Sequence, residues 1–195
     1  LALMAVLAMV AVCTSGAQQV VPAQEILAKL ASNEPVYYDN IQVLGDLDLK
    51  SLSDARVSNS FALTNSSIAN ASFDGTTFAK DAVFWGTAFG NASFENAAFQ
   101  GQADFANTSL SNASFSAASF DKPAVFDGAH FHDDVSFEDA VFATDAFFNE
   151  VRFMADANFN YSDFASYSYF ASAQFLGDAL FSDVDFLGVP DFSTA

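Results

Sequence analysis

The chain has 195 residues, 24 of them acidic against six basic, and a formal charge of −18. An excess of that sign excludes electrostatic binding to nucleic acid or to an anionic membrane surface. A single cysteine excludes an intrachain disulfide framework, and the length suits one solenoid domain with a short appendage.

Leu1 to Val12 is a continuous apolar run, followed by Cys-Thr-Ser-Gly-Ala. The run is too short to cross a bilayer and reads as the apolar region of a secretory signal, with Ser15 and Ala17 supplying the small residues for cleavage before Gln18. Residues 1–17 are therefore expected to be a signal peptide, truncated at its start, and the mature chain to be exported to the extracellular space or cell surface. Cys13 follows Val12, where a lipoprotein signal needs Gly or Ala, so it reads as an ordinary residue of the cleaved segment. No direct membrane insertion is expected in this segment.

Pro22 to Ser32 predicts a short helix, with Ile26, Leu27 and Leu30 on one face and Asn33-Glu34-Pro35 as its stop. Its expected role is to cover an open end of β-structure; a receptor-binding or oligomerising helix is the alternative. Val36 to Leu49, with Tyr37, Ile41, Val43, Leu47 and Leu49, predicts lead-in strands. Residues 18–46 are grouped as helix and lead-in strands, and 47–195 as one repetitive domain.

From Phe73 to Phe192 a large apolar residue recurs every fifth or sixth position, and 22 of the chain's 24 Phe lie on these rungs. Phe61 and Phe147 stand outside them. Upstream, Leu47, Leu52, Val57, Leu63 and Ile68 extend the series. Two residues before each rung stands a small side chain, most often Ala. Helices repeat near 3.6 and strands at 2, so a period of five fits neither; it fits a chain that turns a corner after every short straight run. Steps of six fall at one rung in four, at 78→84, 99→105 and 120→126 among others, which gives each coil four sides. From Phe131 a second six-residue step appears at 131→137, 153→159 and 175→181, so the coil lengthens from 21 to 22 residues.

The units Ala-Ser-Phe at 92–94, Ala-Asp-Phe at 103–105 and Ala-Asn-Phe at 157–159 resemble the A-(D/N)-(L/F)-x-x repeat of the pentapeptide-repeat family. The resemblance covers Leu47 to the end. It implies an all-β fold, a right-handed quadrilateral β-helix of about seven coils here, with the Pro22–Ser32 helix as its cap. Phe73, Phe94, Phe105, Phe126, Phe148, Phe170 and Phe192 are expected in its core. Phe192 opens a further coil, so the solenoid is expected to continue beyond this stretch or to be covered by a partner or by a second copy stacked end to end.

Candidate sites lie among the outward residues. Asn70, Asn91, Asn112, Asp134, Asp156 and Asp178 recur at one corner, spaced by 21 and then 22. Asn and Asp favour turns through local bonds, which accounts for the row; a cation held by Asp134, Asp156 and Asp178 is the sharper alternative. Asn65, Asn70, Asn91, Asn107, Asn112 and Asn160 each open an N-x-Ser/Thr sequon, an acceptor for glycans on an exported chain, although Asn-Ala-Ser-Phe is also simply how this repeat is spelled. His130 and His132 flank Phe131 and point outward, as solvated side chains or, less simply, as metal ligands. Phe147, Tyr167 and Tyr169 form an outward aromatic strip, suited to packing across coils or to binding sugar rings or a protein.

No nucleophile has a paired base and orienting group, so no enzymatic activity and no cofactor are expected. The expected role is a structural or interaction module at the cell surface, with a protein or surface glycan as partner. The family resemblance implies an alternative, since some of its members look like DNA and bind DNA gyrase, and the acidic surface suits such mimicry.

Overall fold

The computed structural model describes residues 18–52 and 55–195. The expected signal peptide and Cys13 lie outside the described residues. Among these residues, apart from one α-helix and a single 3-10 turn at Leu49–Ser51, the regular structure is parallel β.

The chain winds as a β-solenoid of about eight turns. Strand β1 (Gln19–Pro22) runs into helix α1 (Ala23–Ala31), then β2 (Val36–Asp39) and β3 (Ile41–Leu44). These lead-in strands stack in parallel register on the coil above: Val36 pairs with Phe61, and Val43 with Ile68. They form a coil of their own, which is why the turns number about eight rather than seven. At ~4.8 Å per stacked strand the rod is roughly 38 Å long. Helix α1 buries Ala23 and Ile26 against the first coil, with Leu27 and Leu30 packed beside them. The Tyr38 hydroxyl donates to Glu25 at 2.5 Å and Lys29 lies over the same ring, 5.7 Å from its centre. This ties the helix to the coil; burial and the Glu25 carboxylate together push the Tyr38 phenol well above its ordinary value.

Each coil has four sides, called here the first to fourth faces in chain order. In the coil from Ala82 they are Ala82–Val83, the two halves of Ala88–Ser93, and Ala98–Phe99. Hydrogen bonding joins them into only three sheets, of 8, 13 and 7 strands. The reason is local: Ser67–Ser72 and Ala88–Ser93 run through the corner between the second and third faces without a break.

The corners fall into two kinds. After the rungs of the first and third faces the chain makes a turn closed by a bond from residue i+3 to the rung carbonyl, such as Thr87 N to Phe84 O at 3.0 Å and Ala97 N to Phe94 O at 3.1 Å. The third residue of each turn has positive φ: Gly86 +65°, Asn96 +56°, Asn107 +56°, Ala117 +55°. This is the type II arrangement, and it always spans five residues. Every six-residue step falls at one of the other two corners, so the insertions lengthen only the sides that lack this turn.

Inside, the rungs form continuous ring columns. Phe94, Phe115 and Phe137 stack face to face at 4.8 and 4.9 Å with interplanar angles of 2° and 4°. Rings from neighbouring faces meet edge to face, as Phe105 and Phe115 do at 5.2 Å and 89°, the two geometries that aromatic quadrupoles favour. Of the expected core residues, Phe73, Phe94, Phe105, Phe126, Phe148 and Phe170 are fully buried, whereas Phe192 in the last coil is 39 % exposed. Phe192 thus departs from the expected burial, its ring stacked face to face on Phe170 alone. Phe61, which stands off the rungs by spacing, is fully buried and packs against Phe73, Phe78 and Phe84. It occupies the column of small residues, in register with Ala82, because the first coils hold aliphatics at the rungs and leave room for one ring beside them.

Candidate functional site

The Asn/Asp corner row is a hydrogen-bonded ladder whose chemistry changes halfway. Asn70 Nδ2 donates to Asp46, Asn91 Nδ2 to Asn70 and Asn112 Nδ2 to Asn91, at 2.7, 2.7 and 3.1 Å. Beyond the inserted residue the side chains no longer bond one another. Instead the amide N–H of Asp156 donates to the Asp134 carboxylate at 3.1 Å, and that of Asp178 to Asp156 at 2.8 Å. Each of these two carboxylates thus has a backbone donor from the coil above. Among the described residues no three His, Cys, Asp or Glu converge in a way that could hold a metal ion.

The sequons divide by what holds their side-chain nitrogen. Those of Asn70, Asn91 and Asn112 are committed to the ladder, and Asn65 Nδ2 donates to Asp39 at 2.7 Å. The nitrogens of Asn107 and Asn160 donate to no partner among the described residues; the Asn160 oxygen accepts from the Ser182 amide at 2.7 Å. Asn107 is exposed on a type II turn.

His130 and His132 lie on the second face with ring centres 6.4 Å apart. His132 Nε2 is 2.8 Å from Ser109 Oγ. His130 is in register with Arg152, and partial burial, then Arg152 and His132, lower its affinity for a proton. His130 lines a shallow groove with Asn107, Glu150, Arg152 and Gln174.

The first face differs from the others. Its strand register aligns the outward residues Val83, Asp104, Val125, Phe147 and Tyr169 in one column. Phe147 and Tyr169 stack at 5.1 Å and 9°, and Tyr167 lies beside Tyr169 at 6.2 Å. Trp85, 43 % exposed, stands in the turn that follows the Ala82–Val83 strand, at the corner where the face ends, and Tyr167 is 52 % exposed. The outward positions of the third face, by contrast, read Ser72, Ser93, Ser114, Ser136 and Asn158 before ending at Leu180. Tyr167, Phe147 and Tyr169 are the strip expected from the sequence. Val83 and Val125 join the same column and were not anticipated; the signal was their separation of two coils, 42 residues, with Val125 a further 22 before Phe147 and each one position before a rung.

Carboxylates line the same face. Asp104 accepts from the Ala106 amide at 2.9 Å, Asp127 from the Asn149 amide at 2.8 Å, and Asp145 from the Ser166 hydroxyl at 2.6 Å. Burial, reinforced by Glu150 and Asp104, holds the Asp127 carboxyl above its ordinary value despite the bonds from Asn149. The one ion pair among the described residues, Lys50 with Asp74 at 2.7 Å, lies on the third face.

The family model for pentapeptide repeats (9 copies) matches residues 115–163. That stretch spans the rungs from Phe115 to Phe159, including the change of coil length, and over it the chain is similar to the pentapeptide-repeat family. No curated protein matches the chain.

Proposed function

We propose that this chain is a non-enzymatic structural and protein-interaction module, a rigid acidic rod that acts outside the cytoplasm. The observation that carries the reading is the filled interior: aliphatic side chains fill the first coils and ring columns fill the rod from Phe73 onward, so recognition is left to the outward residues of flat faces. Such sheets suit partners of extended shape better than small substrates, which need concave pockets. The apolar run at Leu1–Val12 and the small residues at Ser15 and Ala17 support export. The test is to express the chain with its own amino-terminal residues and sequence the fractionated product. A mature protein beginning at Gln18 outside the cytoplasm is the expected result; a cytoplasmic chain with residues 1–17 retained overturns the location. The charge of −18 on a rod of this fold favours a second reading, DNA mimicry toward a topoisomerase such as DNA gyrase. Inhibition of gyrase supercoiling by the purified chain, together with cytoplasmic retention, would establish it in place of the first.

A further inference from the structure

The geometry points to the first face as the docking surface, and to a basic, arginine-bearing protein segment as its occupant. This rests on the interaction-module reading and specifies which side of the rod serves it.

Three neighbouring side chains on this face have no interior role: Phe147, Tyr167 and Tyr169. A contiguous outward aromatic strip is uncommon on a soluble exterior and marks an interaction site. Asp145 stands two residues before Phe147 and accepts from the Tyr167 amide, Asp191 lies in register with Tyr169, and Asp104 shares the column two coils below Phe147. None of those three carboxylates pairs with a cation among the described residues. The nearby cations Lys80 and Lys122 stand at the corner leading into the face. A second copy would bring another charge of −18 against the same surface, and that repulsion disfavours it. A sugar ring stacks on the flat of an aromatic ring, but Phe147 and Tyr169 cover each other's flats at 9° and present edges outward. Arginine fits what remains. Its planar guanidinium bridges a carboxylate in bidentate fashion while its stem lies along apolar surface, and adjacent apolar side chains can cover the strip.

The experiment uses the full chain in about 150 mM salt, where diffuse charge effects are screened. The probes are a synthetic peptide alternating arginine with leucine, and a peptide of equal charge alternating lysine with serine. The arginine–leucine peptide is expected to bind about ten-fold more tightly. Tyr167→Ser alone, and Phe147→Ser with Tyr169→Ser, should each weaken it by about ten-fold. Glu95→Gln with Glu138→Gln on the third face should change it by less than about two-fold. Tyr167 is more than half exposed, so its variant keeps the test independent of folding. Equal binding of the two peptides, or an equal loss from the third-face variant, would show diffuse charge attraction and overturn the face assignment while leaving the module reading intact. Binding of a glucose oligomer that is lost in the same aromatic variants overturns the choice of partner. If neither peptide binds the native chain the inference fails, and the export experiment judges the module reading separately.

Discussion

At the type II corners one residue per turn carries a left-handed backbone, and its side chain sets the strain there. Gly86 and Gly128 meet that demand twice, because a Cβ at either would lie 2.7 Å from the Oδ1 of Asn65 or Asn107 in the neighbouring coil. Gly128→Ala is therefore expected to lower stability by about 1–3 kcal/mol in denaturant titration, and pairing it with Asn107→Gly should restore only the part due to contact. Ala117 sits at φ +55° without such a reason, and Ala117→Gly should raise stability by about 0.5–1 kcal/mol. Asp127 gives the pH prediction. Its carboxyl titrates above the ordinary range in the folded chain, so stability is gained as pH falls between the raised and ordinary values and is lost as pH rises through them. Asp127→Asn should raise the melting temperature at neutral pH, with the difference from the native chain closing in acid. The Asn/Asp row was legible in the sequence as a row. Its change from side-chain amides to backbone donors was not, because it depends on how one inserted residue reshapes a corner.

Each face strand is only two residues long over most of the rod, and it holds together because its one buried ring stacks on the same ring above and below. Phe105 stacks on Phe84 and Phe126 and also meets the rings of Phe94, Phe99 and Phe115. Phe105→Ala should cost about 3–5 kcal/mol. Phe192→Ala, partly exposed and stacked on one side only, should cost about 1 kcal/mol, and thermal melts of the two variants compare them directly. Spacing alone revealed this lattice, since neither a helix nor a flat sheet repeats at five. It set Phe61 off the rungs without revealing its burial, because period counting follows the large position of each inward pair, and in the first coils the ring sits at the small one.

Over the whole rod every coil contacts only its neighbours, so stability adds along one dimension. Deleting Phe137–Asn158, one complete 22-residue coil, brings Phe159 onto Phe115 and keeps every rung in phase. The shortened chain should retain its parallel β signature in circular dichroism, with a denaturant slope lower by roughly an eighth. Deleting two residues fewer would turn the later rungs outward and should leave an unfolded carboxy-terminal half. The first face became visible only at this scale, because Val83 and Tyr169 are separated by 86 positions and share a column through the coil length alone, with Trp85 at the corner beside it.

That placement of Trp85 has a spectroscopic consequence. The lone indole of the chain stands outside a scaffold whose interior chromophores are phenylalanines. Its emission already comes from a half-solvated ring, so unfolding should shift its wavelength little, while near-ultraviolet phenylalanine dichroism collapses with the ring columns. A peptide laid over the first face would do the reverse, moving the indole signal and leaving the phenylalanine bands unchanged. The molecule thus carries separate optical reporters for its core and for one of its surfaces.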